Sequence, residues 1–234
     1  MAPHSVLSHS LNSGSTIMPL NSSIARKSLM ALAGLFLAVF LPVHLGVNLL
    51  LLVQDGGRSF SVAAEFMATN PVIRIAEPVL FLGFLLHIIY GLMVSGANRA
   101  ARPVGYQRPN SSDTSLLSKY MFHTGLIVLV FLALHLADFW MLKVGLVAPP
   151  EGIDRHDFYS RALILFQSPW YSSFYIASFL FLGFHLNHAI QSAFQTLGVN
   201  HSRYTPVLKL AGSAYAILMT AGFSLIPLRL AFFP

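Results

Sequence analysis

Long apolar runs alternate with short polar segments along this chain. Five of the runs are long enough to cross a bilayer, which requires about 20 apolar residues in a helix. The pattern predicts spans at about 27–53, 71–98, 118–144, 169–198 and 206–228. The predicted fold class is therefore all-α integral membrane, a bundle of five transmembrane helices. Residues 1–25 form a polar N-terminal segment, and residues 26–230 form one membrane domain.

Two of the connecting segments carry weaker apolar patterns. Residues 55–70 are too polar to span, but Phe60, Ala64 and Met67 share one face of a short helix that we expect to lie on the membrane surface. Between the third and fourth spans, Phe158–Phe166 is expected to form a surface turn.

Composition supports a membrane protein. Only 9% of the 234 residues are charged, against about 25% in a typical soluble domain. The absence of cysteine excludes disulfides and iron–sulfur ligation by this chain. The net charge of +6 is expected to face membrane lipid rather than nucleic acid, because Lys and Arg collect near cytoplasmic headgroups. With the N-terminus in the cytoplasm, eight of these side chains lie on the inner side and six on the outer side, a small excess that favours this orientation.

Four of the predicted spans carry a histidine near their middle, and imidazole inside a bilayer usually has a partner or a function. At about 1.5 Å of rise per residue, His44 and His135 lie about 25 Å from the inner ends of their helices, and His87 and His185 about 18–20 Å. The first and third spans thus offer an outer pair, and the second and fourth an inner pair. Two histidines at matched depth on facing helices are what a haem with two imidazole ligands needs.

Other interpretations of these histidines remain open. A single histidine in a span is more often a hydrogen-bonded packing or proton-handling residue. Zinc is a further metal for histidine, but two pairs at different depths do not form one tetrahedral site. His188, one turn after His185, is a rival ligand, and His123 is better placed for a haem propionate or an interface.

A glycine precedes the histidine by ten residues in both GLFLAVFLPVH (34–44) and GLIVLVFLALH (125–135). Gly34 and Gly125 therefore lie about 15 Å deeper than the outer histidines. We predict that these glycines leave room for the inner haem, although small residues in membrane helices also serve helix packing.

Four stretches carry a resemblance to a known family. They are SLMALAGLFLAVFLPVHLGVNL, GFLLHIIYGLMVSGANRAARPVGY, LALHLADFW and GFHLNHAIQSAFQTLGVNHSRYTP. Over about residues 24–230, the chain resembles the cytochrome b membrane-anchor subunit of succinate:quinone oxidoreductases and fumarate reductases, in its single-anchor, five-helix, di-haem form. The resemblance implies two haem b groups, with His44 and His135 on the distal haem and His87 and His185 on the proximal haem.

The resemblance also implies partners and a location. A flavoprotein subunit with FAD and an iron–sulfur subunit would bind on the cytoplasmic side and oxidise succinate. This chain would lie in the cytoplasmic membrane, with its N-terminus inside, and pass electrons through its haems to a quinone, most often menaquinone. The resemblance allows the whole complex to form a higher oligomer but does not specify one. Some fumarate-reducing members carry a proton-transferring glutamate where this chain has Gly183.

Quinone reduction also needs protons, so the quinone pocket needs a polar side chain. Our preferred candidate is Glu65, which lies on the short surface helix. The alternative is that Glu65 is only a solvated loop residue with no role at the quinone. Further candidates near the outer and inner ends are Arg74, Glu77, Asp138, Ser28, Tyr90, Lys119 and Tyr120.

Two other functions fit parts of this pattern. One is a di-haem, quinol-oxidising subunit of another respiratory enzyme, such as a nitrate reductase. The other is a haem-free transporter that relays protons through intramembrane histidines and carboxylates.

Overall fold

The computed structural model describes residues 22–101 and 120–233, and every regular element within these ranges is a helix. The helices are α1 (Ser23–Leu49), α2 (Arg58–Thr69), α3 (Pro71–Ala100), α4 (Met121–Lys143), α5 (Phe158–Phe166), α6 (Pro169–Thr196) and α7 (Thr205–Phe232). The predicted N-terminal segment up to residue 21 and the predicted start of the third span at 118 and 119 lie outside the described ranges.

Five of these helices, α1, α3, α4, α6 and α7, are long and apolar enough to cross a membrane, which confirms the predicted spans. The largest differences in bounds, four residues each, are at both ends of α1 (Ser23–Leu49 rather than 27–53) and at the end of α7 (Phe232 rather than 228). Large apolar side chains on the spans stay uncovered by protein, as Val39 (73% exposed) and Leu210 (72% exposed) do. Such faces suit lipid, and the chain is a multi-pass helical membrane protein.

Polar residues followed by proline start two of the spans. The side chain of Asn70 accepts hydrogen bonds from the backbone of Val72 and Ile73 at the start of α3. Ser168 caps α6 in the same way, through Tyr171. Proline at the first helical position loses no hydrogen bond there, so these two dipeptides fix where the spans begin.

The short helix α2 forms where the sequence predicts it, but the apolar face of α2 turns inward. Phe60 is buried and packs beside Tyr159 of α5, with ring centroids 6.4 Å apart. Gly57 precedes α2 with φ +86°, and a Cβ there would collide with the Tyr159 ring. Hydrogen bonds to Asp55, chiefly from the Ser59 hydroxyl, hold the pKa of Asp55 below its usual value. The face that carries Phe60 therefore packs against protein, and the position of α2 at the membrane surface stays a prediction.

Helix α6 is the centre of the bundle and packs against α1, α4 and α7. Its contact with α7 is close at Gly183, where an added Cβ would collide with the Thr220 hydroxyl oxygen. That hydroxyl donates to the Ala216 carbonyl at 2.8 Å. A side chain at position 183 would therefore have to displace the Thr220 hydroxyl in this packing.

We expect Gly183→Ala to lower the free energy of unfolding by about 1–3 kcal/mol, the usual effect of an overpacked interior. Thermal unfolding of the purified protein in detergent would measure it. Adding Thr220→Ala removes the colliding hydroxyl and should recover most of the loss. A Gly183→Ala protein as stable as the parent would show that α6 and α7 do not pack this closely.

Two irregularities shape the helices beside the outer histidines. Pro42 lacks the N–H that would bond the Ala38 carbonyl, and the Tyr215 hydroxyl of α7 donates to that oxygen instead. In α4, residues Leu136–Trp140 form a π-helical turn. This turn holds Asp138, which is buried.

Candidate functional site

The outer histidines come from α1 and α4 and lie side by side. The ring centroids of His44 and His135 are 5.7 Å apart, with an interplanar angle of 82°. A phenylalanine one turn earlier stacks on each ring, Phe40 at 5.1 Å from His44 and Phe131 at 5.8 Å from His135. Phe223 of α7 also approaches His44, at 5.9 Å. The outer pair is thus enclosed by aromatic side chains.

The inner histidines come from α3 and α6. The ring centroids of His87 and His185 are 6.2 Å apart, with an interplanar angle of 83°. The structure therefore brings together the same two pairs that the depth argument predicts. His185, rather than the rival His188, is the residue of α6 that faces His87.

Each repeated glycine lies against an inner histidine. A Cβ at Gly34 would be 3.0 Å from His87 Cε1, and a Cβ at Gly125 would be 3.3 Å from His185 Cε1. Because Gly34 lies beside the inner pair and His44 follows ten residues later, the two pairs are separated by about 15 Å along α1. The glycines make room for the inner imidazoles, and their clearance of a haem stays a prediction.

Hydrogen bonds to Nδ1 orient the two inner imidazole rings, those of His87 and His185, so that Nε2 of each is free to bind a metal. His87 Nδ1 lies 3.2 Å from the Met30 carbonyl oxygen, which only accepts. His185 Nδ1 lies 3.4 Å from the Thr124 hydroxyl, which itself donates to the Met121 carbonyl. Both Nδ1 atoms therefore carry the proton, and both Nε2 atoms keep a free lone pair. This is the arrangement by which second-shell acceptors orient histidine ligands.

The outer rings have different neighbours. The Asn48 amide nitrogen donates to the His44 carbonyl at 2.7 Å and lies 3.4 Å from His44 Nδ1. For His44 to bind a metal through Nε2, Nδ1 must carry the proton, and the Asn48 amide then hydrogen-bonds only the His44 carbonyl. His135 Nδ1 is buried and has no hydrogen-bond partner among the described residues. Of the two outer histidines, His135 is thus the one whose Nδ1 finds no hydrogen-bond partner among the described protein groups.

The separations of the two pairs fit one metal ion in each. A metal bonds an imidazole nitrogen at about 2 Å, so rings on opposite sides of one ion have centroids about 6 Å apart. Both observed separations are close to this value. Groups of three or more metal-binding side chains do not occur in the described ranges. Two protein ligands are what a haem iron with bis-imidazole ligation takes.

A buried polar cluster lies one turn beyond His135. The Asp138 carboxylate accepts hydrogen bonds from the hydroxyls of Tyr171 (2.5 Å) and Tyr175 (2.8 Å), and it pairs with Arg161 at 3.3 Å. The Tyr175 ring also contacts His135, with centroids 6.3 Å apart. Asp138 was a candidate from the sequence, but its three partners were not.

The other predicted polar residues are less enclosed. Glu77 accepts from the indole of Trp140 (2.7 Å) and from Lys143 (2.9 Å), which ties α3 to α4. Glu65 and Arg74 are exposed on α2 and α3, and a role for Glu65 at the quinone stays a prediction. His123 is also exposed. Lys119 lies outside the described ranges.

Comparison with protein-family models, with curated proteins and with solved structures finds no match to this chain.

Proposed function

We propose that this chain is the di-haem cytochrome b membrane anchor of a succinate:quinone oxidoreductase, delivering electrons from an iron–sulfur partner subunit to a membrane quinone. The observation that carries the proposal is the two facing histidine pairs at different depths. Two histidine pairs at different depths, each with the spacing of a bis-imidazole metal site, are what a di-haem anchor needs.

Each pair would hold one haem b, His44 with His135 and His87 with His185. Haem b supplies a one-electron carrier whose potential depends on its ligands and surroundings. The protein's own contribution is orientation and enclosure. Met30 and Thr124 orient the inner rings, and the phenylalanines stacked on the outer rings exclude water from them.

The proposal assigns the remaining chemistry to partners. This chain has no cysteine, so iron–sulfur clusters belong to another subunit. Flavin and the dicarboxylate site would lie in a flavoprotein subunit on the cytoplasmic side. The chain supplies the membrane anchor and the quinone pocket, with menaquinone as the expected quinone.

The test is a reduced-minus-oxidised absorption spectrum of the purified protein with pyridine-haem quantification. Two b-type haems per chain are expected. A folded preparation with its partners but without haem would overturn the proposal and favour the proton-relay transporter. If haem is present, flavin in the copurifying subunits supports the dicarboxylate complex, whereas molybdenum supports a nitrate reductase.

Gly34→Ala should disturb the inner haem and leave the outer haem unchanged, because the added methyl group presses on the His87 ring. We expect a shifted spectrum or a lower occupancy of the inner haem alone. Gly46→Ala is the matched control, since a Cβ at that position of α1 meets nothing within 4 Å. Identical spectra for Gly34→Ala and Gly46→Ala would contradict a close approach of Gly34 to the inner site.

A further inference from the structure

An apolar groove opens on the outside of the bundle between α4 and α6. It is lined by Leu134, Trp170, Tyr171, Ser173, Phe174 and Ala177. Three of these six side chains are aromatic, and Trp170 is 85% exposed. The groove therefore offers flat aromatic surfaces to a molecule that arrives through the lipid.

The groove lies close to the outer histidine pair. Leu134 is the residue before His135 on α4. On the α6 side, the rings of Tyr171 and Tyr175 lie 5.3 Å apart, and Tyr175 in turn contacts His135. A ring bound in the groove would thus be separated from the outer pair by one layer of side chains.

Tyr171 connects the groove to the polar interior. Its ring lines the groove, and its hydroxyl donates to Asp138, whose charge is balanced by Arg161. A hydroxyl that donates one hydrogen bond still accepts another, and the O–H of a reduced quinol can supply it. Among the lining residues, Tyr171 is the one that the buried ion pair holds in place.

We propose that this groove binds the quinone ring, with Trp170 and Phe174 as stacking surfaces and Tyr171 as a positioning residue. The inference rests on the proposed function, because that function supplies the need for a quinone. A lipid acyl chain gains nothing specific from three aromatic walls, whereas a flat conjugated ring stacks on them. The polar ring and apolar tail of a quinone also match an apolar groove that reaches a hydrogen-bonded tyrosine.

The first experiment locates the quinone directly. The intact complex is irradiated with a photoreactive azido-naphthoquinone, and the labelled peptides are identified by mass spectrometry. We expect label within residues 170–177 or on Leu134, and competition by 2,3-dimethyl-1,4-naphthoquinone. Specific label on α2 instead, in a preparation that carries both haems, would overturn the groove and favour Glu65 while leaving the proposed function intact. Label that is not displaced by competitor means lipid-like partitioning and overturns the groove as well.

The second experiment compares two tyrosines that share one acceptor. Tyr171→Phe and Tyr175→Phe each remove one hydroxyl from Asp138, but only Tyr171 lines the groove. In quinol-oxidation assays, Tyr171→Phe should raise the KM for the reduced form, 2,3-dimethyl-1,4-naphthoquinol, by about threefold to tenfold, because the quinol loses the acceptor for one of its O–H groups. Tyr175→Phe should change that KM by less than about twofold. Equal changes of the KM in both variants would mean that the two hydroxyls act only by stabilising the Asp138 carboxylate, which would overturn Tyr171 as a positioning residue.

Trp170→Leu tests the stacking surface. It removes an exposed indole and should raise the same KM by about threefold to tenfold. The succinate-to-dye rate, which bypasses the quinone, and the two-haem spectrum should stay unchanged. An unchanged KM in Trp170→Leu would overturn the groove as the quinone site. Absence of haem from the parent complex, by contrast, would overturn the proposed function.

Discussion

Replacing His44 by alanine should leave one haem per chain instead of two, and the remaining haem should be the inner one. His44 is the ligand that α1 contributes to the outer pair. The five aromatic rings that contact this pair in the described part of the chain are phenylalanines or a tyrosine, so none can replace it. The inner pair is held by α3 and α6 and should survive. Pyridine-haem quantification per chain, together with stepwise redox titration of the spectrum, would measure the loss.

Two further variants make this test specific. His87→Ala should give the opposite result, with the inner haem lost and the outer haem kept. His188→Ala changes a partly buried histidine one turn from His185 and should keep both haems. If both haems persist in His44→Ala, the assignment of ligands is wrong. If His188→Ala loses a haem, the rival ligand is the true one.

Asp138→Asn should lower the free energy of unfolding by about 3–5 kcal/mol, the usual effect of leaving one member of a buried ion pair without its partner. The side chains of Arg161 and Asp138 are only 17% and 12% exposed. Asparagine retains an oxygen for the two tyrosine hydroxyls, so the change isolates the lost charge. Thermal unfolding in detergent, at fixed haem content, would measure the difference.

Two variants control for a general effect of losing a carboxylate. Adding Arg161→Met to Asp138→Asn removes the unpaired cation and should restore most of the stability. Glu77→Gln breaks a pair with Lys143 in which both side chains are more exposed, 30% and 28%, and should cost less than about 1 kcal/mol. Equal losses for Asp138→Asn and Glu77→Gln would show that Arg161 does not depend on Asp138.

The histidine pairs were predictable because a transmembrane helix converts sequence position into depth. Counting residues from the inner end of each span was enough to match His44 with His135 and His87 with His185. The repeated sequence also carried a signal that the prediction did not use. Phenylalanine stands four residues before the histidine in both copies, and the structure shows these rings, Phe40 and Phe131, stacked on the imidazoles.

The cluster around Asp138 could not be predicted in the same way. Its partners follow 23 to 37 residues later, on α5 and α6, and nothing in their spacing indicates that α5 folds back onto α4. The π-helical turn adds a further uncertainty, since one extra residue in the turn changes which side chains of α4 face inward. Similarly, periodicity groups Phe60 and Ala64 on one face of α2 but does not say whether lipid or protein covers it.

The hydrogen bond from Tyr215 to the Ala38 carbonyl joins α1 to α7 across 177 residues of sequence. A ribosome delivers spans in chain order, so α1 enters the bilayer long before α7 has been synthesised. During that interval the carbonyl freed by Pro42 lacks its partner, and unsatisfied backbone groups are costly in hydrocarbon. The first helix therefore reaches its final stability only when α7 has been inserted, which makes maturation of the outer histidine site a late event in biogenesis.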